Sequence, residues 1–329
     1  MTGQNLRRMG GSEVQASAIG LGTWAMGGWM WGGSDDAQSI AAIRASIDNG
    51  VTLIDTAPGY GLGLAEELVG KAVKGRRREV AIATKCGLNW HHGKGNHFFE
   101  ELGKQVHRYL GRDGILHEID ESLRRLDTDY IDLYITHWQD PTTPVEETMS
   151  TLLDLKKQGK IRAIGVSNVT PDDLKAYLGV GPVDAIQERY SMLDREIETT
   201  LLPICKENNV STLSYSSLAL GLLSGKISAE REFKGDDLRK DNPRFSRANR
   251  ERIAAFAQEV APLAKEKGAS IAQLVIAWTV SQPAITYALC GARDAVQAGE
   301  NAKAGTIELD SRELRQIDDA IAGHLTGIA

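Results

Sequence analysis

Four residues in this chain add up to proton-transfer chemistry: Asp55, Tyr60, Lys85 and His137. The first two share the stretch Leu53-Ile54-Asp55-Thr56-Ala57-Pro58-Gly59-Tyr60-Gly61, where an apolar run ends in a carboxylate and a Pro-Gly turn presents a tyrosine. Free tyrosine titrates near pH 10, too high to release a proton readily at neutral pH. An ammonium a few ångströms away favours the phenolate and lowers that pKa. Lys85 is the candidate ammonium, and Asp55 would keep it charged by an ion pair in a partly dry site. His137 would orient a substrate carbonyl by hydrogen bonding, or relay the proton. An acid matched in this way contributes roughly 10²- to 10⁴-fold in rate. Each residue also has a plainer role. Asp55 could cap its loop, Tyr60 could be a part-buried ring, Lys85 a solvated strand-end lysine and His137 a core histidine beside Trp138. The two readings part on whether one architecture gathers all four.

The elements that would gather them recur along the chain. Val51, Leu53 and Ile54 read as a buried strand, and Pro58-Gly59 with Gly61 as the loop leaving it. Similar apolar runs fall at 18–24, 80–85, 130–135, 161–166, 185–187, 212–215 and 285–290. Helical patterns lie between them. One runs through Ile40, Ile43 and Ile47, with Ser34-Asp35-Asp36 as its cap and Asn49-Gly50 as its stop. Others cover 66–73, 115–126 with Asp113 as cap, Met149 to Leu155, Asp172 to Tyr177, and 197–208, with two more at the C-terminal end. Alternation of this kind implies a parallel sheet with crossover helices.

Eight such units without a composition break point to an α/β fold, a (β/α)8 TIM barrel forming a single domain over 1–329, rather than an open doubly wound sheet. Barrel chemistry sits at the C-terminal ends of the strands, where Asp55, Lys85 and His137 fall. Two long stretches break the rhythm: 90–110 after the third strand and 226–252 after the seventh. Long irregular insertions on the catalytic side are more often lids or ligand clamps than passive loops.

Composition limits the partners. With 329 residues, 42% hydrophobic and 25% charged, the chain can build one sizeable core. A net charge of −6 disfavours a nucleic-acid binder, although an anion site in a local pocket remains open. The three cysteines, Cys86, Cys205 and Cys290, form no Cys-x-x-Cys pair and suit free thiols in a reducing, cytoplasmic setting. Arg7 and Arg8 are followed by no apolar stretch of a signal peptide, and no run is long enough to span a membrane. Gly20-Leu21-Gly22 is a poor dinucleotide fingerprint, because Ala25 stands where its third glycine belongs.

Several motifs, in order, resemble the aldo-keto reductases. They are Gly20-Leu21-Gly22-Thr23, Asp55 to Gly61, Thr84-Lys85, Asp132 to Trp138, Gly165-Val166-Ser167-Asn168, Tyr215-Ser216-Ser217-Leu218, Gly221 to Lys226, Gly291-Ala292-Arg293 and Gln297 to Asn301. The resemblance implies hydride transfer between a nicotinamide and an aldehyde or ketone, with Tyr60 as acid, Lys85 and Asp55 as its tuning pair and His137 as the orienting group. It implies that Ser167, Asn168 and Gln187 hold the carboxamide and that Tyr215 stacks on the nicotinamide. Ser216, Leu218, Gly221 and Lys226 would follow the pyrophosphate. Arg293 would pair with an adenosine 2′-phosphate, and Gln297, Glu300 and Asn301 would face adenine. Thr23, Trp24, Asp55 and Gly291 complete the implied cofactor set, and Trp24, Tyr60, His137 and Trp138 the substrate set. The implied cofactor is NADPH rather than NADH, with NADH use left open. Ser217 departs from the pattern, since related chains often carry proline there; its loop is expected to be looser.

The expected function is therefore NADPH-dependent reduction of a small aldehyde, a sugar aldehyde such as 6-oxo-glucose, to its alcohol. Broad aldehyde detoxification, a sugar dehydrogenase running oxidatively, and a nucleotide-sensing regulatory subunit are the alternatives. Neither nucleic acid nor membrane is an expected partner, and a homo-oligomer is compatible with the sequence. No metal is expected: His91, His92 and His97 lie in a glycine-rich loop without a carboxylate or thiol at ligand spacing. Trp24, Trp29, Trp31, Trp90 and Trp138 suit a substrate wall, with core packing an equal contender for Trp29 and Trp31. Arg231, Arg239, Arg244, Arg247 and Arg250 in the second insertion read as a solvated helix face more readily than as a phosphate clamp.

Overall fold

A computed structural model describes residues 6–328. In chain order the strands are β1 (Leu6–Arg8), β2 (Gln15–Ser17), β3 (Ile19–Gly22), β4 (Leu53–Asp55), β5 (Ala81–Cys86), β6 (Leu88–Asn89), β7 (Asn96–Glu101) and β8 (Lys104–Arg108). They continue as β9 (Ile131–Thr136), β10 (Ile161–Ser167), β11 (Ala185–Arg189), β12 (Ser211–Tyr215) and β13 (Tyr287–Gly291). The helices are α1 (Asp36–Asp48), α2 (Leu64–Val73), α3 (Arg112–Leu126), α4 (Val145–Lys157) and α5 (Pro171–Val180). Then follow α6 (Leu201–Glu207), α7 (Arg247–Glu266), α8 (Ile271–Ser281), α9 (Ala295–Lys303) and α10 (Ser311–His324).

Eight parallel strands close into the expected barrel, in the order β3-β4-β5-β9-β10-β11-β12-β13, with β13 pairing back onto β3. Side chains alternate along a strand, so one face of each strand fills the interior. Leu53, Ala81, Ala83, Leu133, Ile135, Ala163, Ala185, Leu213, Tyr287 and Leu289 form that inner cluster. The out-facing Ile54, Ile82, Ile164 and Ile186 pack with the helices. Continuing the inward parity upward brings Asp55, Lys85, His137, Ser167, Gln187 and Tyr215 to the C-terminal mouth. The β1–β2 hairpin adds Met9, Val14 and Ala16 to the same inner cluster. It is tied down by Tyr287 Oη donating to the Arg7 carbonyl at 2.7 Å and by Arg7 donating to the Thr286 carbonyl at 2.8 Å.

Asp35 caps α1 as expected, its side chain accepting from the Gln38 N–H. Four expectations need correction. Asp113 lies inside the first turn of α3, with Gly111 at the cap, and pairs instead with Lys94 and Tyr109. The 197–208 helix is broken into a 3₁₀ turn, Glu196–Glu198, and α6. Stretch 90–110 is largely an antiparallel sheet of order β6-β8-β7, in which Leu102 and Gly103 take up positive φ at the β7–β8 turn. Most of 226–245 lacks regular structure, but α7 begins at Arg247, and the sequence reading passed over both α7 and α8. Every residue of α8 from Ala272 to Val280 is buried, so it shows no amphipathic stripe to recognise.

Candidate active site

The loop leaving β4 turns sharply so that Tyr60 returns over the barrel mouth. Gly27 and Gly61 make this turn: a Cβ on Gly27 would lie 2.6 Å from the Tyr60 carbonyl carbon, and one on Gly61 2.5 Å from the Gly27 oxygen. Lys85, 0% exposed, reaches across from β5. Its Nζ donates to Asp55 Oδ1 at 2.9 Å and Oδ2 at 3.0 Å, to the Thr56 carbonyl at 2.9 Å and to Tyr60 Oη at 3.1 Å. Because Tyr60 accepts from the ammonium, its own O–H proton stays available for another acceptor. Gln187 Nε2 donates to Asp55 Oδ2 at 2.7 Å, and the Thr23 N–H and hydroxyl both donate to the Asp55 carbonyl at 3.0 Å. The His137 ring stands edge-on to Tyr60, with centroids 5.8 Å apart.

Electrostatics refine the expected roles. Burial pulls the Lys85 ammonium down, but its contacts with Asp55 and Tyr60 more than reverse this, and its pKa stands above the ordinary value. Burial pushes the Tyr60 phenol up; Lys85 opposes that push and Asp55 adds to it. The expected net lowering by Lys85 is therefore corrected: the ammonium offsets desolvation without overcoming it. Burial first and Lys85 second hold His137 well below the usual histidine range. A neutral imidazole orients by hydrogen bonding rather than relaying a proton as an imidazolium, and among the described residues its buried Nδ1 has no partner.

Around this centre the expected carboxamide residues bond to one another. Ser167 Oγ donates to the Gln187 carbonyl at 2.6 Å, Asn168 Nδ2 to the His137 carbonyl at 2.8 Å, and Tyr215 Oη to Asn168 Oδ1 at 2.8 Å. The loop after β12 then runs through positive φ at Ser216, Ala219, Leu220 and Gly221. Ser217 is buried, and its hydroxyl lies 3.3 Å from Ser214 Oγ. Leu218 caps the segment Ala219–Ser224, which kinks at Leu220 and Gly221.

Farther out, Lys226 pairs with Glu300 at 2.6 Å, the Arg293 N–H donates to Gln297 at 3.1 Å, and Asn301 donates to the Gly291 carbonyl at 2.9 Å. The strand tips join this outer end to the centre, since Gly22 pairs with both Gly291 and Asp55. The Arg293 guanidinium binds the carbonyls of Trp31 and Gly33. The second insertion crosses to the same loop: Asp236 accepts from the Met30 and Gly32 N–H groups, both at 3.1 Å, and Leu238 N–H donates to the Met30 carbonyl.

A family model described as "Aldo/keto reductase family" matches residues 18–322. The chain belongs to the aldo/keto reductase family. It is 46% identical to aldo-keto reductase YhdN of Bacillus subtilis, over 85% of this chain and 82% of the relative. It is 39% identical to the NADH-specific methylglyoxal reductase of Escherichia coli, over 95% and 98%. Among solved structures, the glycerol dehydrogenase AKR11B4 from Gluconobacter oxydans superposes with a TM-score of 0.88 at 37% identity, covering 99% of this chain and 97% of that one.

Two parts of this aldo-keto reductase escaped the sequence reading. The β6–β8 sheet covers the mouth with aromatic rings: Phe98 packs on Trp138 at 5.2 Å and Phe99 stacks on Trp29 at 5.0 Å. The Phe98-Phe99 pair was the available signal, hidden in a run rich in histidine and glycine. Trp24 packs edge-on to Trp31 at 5.3 Å. The arginines of the second insertion also separate. Arg244 binds Asp194 through two bonds, Arg247 pairs with Glu251 on α7, and Arg250 ties the carbonyls of Ser228 and Arg231. Arg231 lies over Phe233. Arg239, bound to Asp237, lies over Trp31 and Phe233, and its Nη1 is 4.0 Å from where a Gly221 Cβ would stand. Among the described residues no three histidine, cysteine or acidic side chains form a metal-holding group, and no helix is long and apolar enough to cross a membrane.

Proposed function

We propose that this aldo-keto reductase reduces the carbonyl of a small aldehyde with NADPH, using Tyr60 as proton donor, and that sugar aldehydes such as 6-oxo-glucose are its substrate class. One observation carries the chemistry: the Lys85 ammonium is shared between Asp55 and the Tyr60 hydroxyl. Ser167, Asn168, Gln187 and Tyr215 would hold the nicotinamide, which would supply hydride for the carbonyl carbon. Tyr60 gives its O–H proton to the carbonyl oxygen, leaving a phenolate beside Lys85, whose charge stabilises it. Neutral His137 donates an N–H to the same oxygen and orients it. The rings of Trp24, Trp138, Phe98 and Phe99 exclude water and suit the C–H faces of a sugar.

The residues fit the dinucleotide. Ser167, Asn168 and Gln187 offer the hydroxyl and amide groups that a carboxamide needs, and Tyr215 offers a ring for the nicotinamide. The outer groove carries two guanidiniums close enough that Arg239 adds to burial in depressing Arg293, with Asp237 opposing. Arg239 is taken up by Asp237, whereas the Arg293 guanidinium binds main-chain carbonyls, which suits it to phosphate. The preference for NADPH rests on Arg293, because the Escherichia coli relative is named for NADH.

The names of the two relatives that specify chemistry favour a second reading, a three-carbon carbonyl or polyol. NADPH consumption with a panel of sugar and three-carbon aldehydes separates the readings. Tyr60→Phe is expected to lower turnover by about 10²- to 10⁴-fold with unchanged NADPH binding. Absence of turnover by the unaltered protein on every carbonyl would instead favour a nucleotide-sensing role.

A further inference from the structure

Outside the barrel wall, behind Lys85, lies a buried polar cluster that the proposed reaction does not use. Glu66 on α2 is 0% exposed and Glu118 on α3 is 2% exposed. Glu66 Oε1 accepts from Thr84 Oγ1 at 2.6 Å, and its Oε2 accepts from Arg125 Nε at 2.6 Å. Glu118 Oε2 accepts from the Gly87 N–H at 2.8 Å. Strand parity makes the geometry pointed. Thr84 and Cys86 face outward from β5 while Lys85 faces inward, so the two carboxyl groups grip the chain on either side of the catalytic lysine. Gly87 has φ +92°, and a Cβ there would come within 2.5 Å of Leu110, so the turn closing this grip is tightly packed. Burying two carboxyl groups against one guanidinium is costly, and an apolar filling would hold the helices together without it.

We propose that Glu66 and Glu118 are positioning residues that act through the main chain of β5 to hold Lys85 against Tyr60. This rests on reading Tyr60 as the acid and Lys85 as its tuning cation. Burial pushes Glu118 up to about 8, so it is largely the neutral acid at pH 7 and accepts from Gly87 N–H without a full buried charge. Glutamine in its place keeps an acceptor oxygen, whereas leucine removes it.

The test compares Glu118→Gln, Glu118→Leu and Thr84→Val in the full-length protein. Melting temperature and NADPH affinity are measured beside the pH profile of kcat/KM and the ¹⁵N–¹H signal of the Lys85 ammonium. Loss of the grip loosens the Lys85–Tyr60 contact and raises the Tyr60 pKa, so the alkaline limb moves to higher pH. Glu118→Leu is expected to move it by about one unit and to lower kcat/KM about tenfold. The Lys85 signal shifts, NADPH affinity holds, and Glu118→Gln restores both signal and limb. If the leucine variant does not fold, Thr84→Val, which frees one side of the grip, carries the same expectation at smaller size. A lowered melting temperature with an unmoved limb and Lys85 signal overturns the proposal, as does a glutamine variant no better than leucine. If the unaltered protein turns over no carbonyl, the Lys85 signal still decides the positioning role, and the acid assignment alone has failed.

Discussion

The inner and outer halves of the site are built on different principles. At the inner half, Asp55 and Lys85 are 3% and 0% exposed, rise from adjacent strands of a closed barrel, and bond at 2.9–3.0 Å. At the outer half, Lys226 and Glu300 meet at 2.6 Å with side chains 58% and 35% exposed, and Asp236 latches one loop to another through main-chain N–H groups. A proton donor needs its neighbours fixed within a fraction of an ångström, because the same contacts set its pKa. A dinucleotide must enter and leave, and exposed ion pairs worth little in stability can be exchanged for its phosphates. Rigidity and exchangeability are thus assigned to strands and loops respectively.

The sharpest way to break this division is at Lys85. Lys85→Met leaves Asp55 buried without its cation, a change that costs roughly 3–5 kcal/mol for buried pairs. It also removes the charge that stabilises the Tyr60 phenolate. Turnover is expected to fall about 10²- to 10⁴-fold and the melting temperature to drop. NADPH affinity, read by fluorescence titration, should change only a few-fold. If affinity fell as far as turnover, the two halves would not be separable.

Arg293→Ala probes the other half, with a smaller expected effect. A charge-assisted hydrogen bond is worth about 1.5–3 kcal/mol, so NADPH should bind roughly 10- to 100-fold more weakly while NADH and kcat barely change. Equal weakening of both dinucleotides would remove the 2′-phosphate assignment and leave Arg293 as the residue that anchors the Trp31 and Gly33 carbonyls.

The same division explains what could be read in advance. Position at the strand ends carried Asp55, Lys85 and His137 to one mouth, because closing eight strands into a barrel leaves their tips little freedom. The Tyr60 turn was legible from Pro58, Gly59 and Gly61. What escaped was set by long-range contact. Arg239 stood in a charged run indistinguishable from a solvated face until Trp31 and Asp237 fixed it. The β6–β8 sheet was masked because its inward partners, Trp29 and Trp138, lie far away in sequence. Glu66 and Glu118 looked like ordinary helix carboxylates, since nothing local marks which face of α2 or α3 meets β5. Net direction of the Tyr60 pKa was also out of reach, because it depends on how much burial competes with Lys85.

The smallest expected effect falls on the latch. Asp236 is exposed, so each of its 3.1 Å bonds to the Met30 and Gly32 N–H groups competes with water. Removing both by Asp236→Ala is expected to cost about 1 kcal/mol, too little to disturb the fold. If the loop from the second insertion closes over a bound dinucleotide, that loss should raise the NADPH dissociation rate about fivefold in stopped-flow fluorescence, with the Tyr60-dependent chemical step untouched. Slower chemistry at an unchanged dissociation rate would mean that this loop reaches the proton-transfer centre, and the separation between a fixed inner half and an exchangeable outer half would fail at this point.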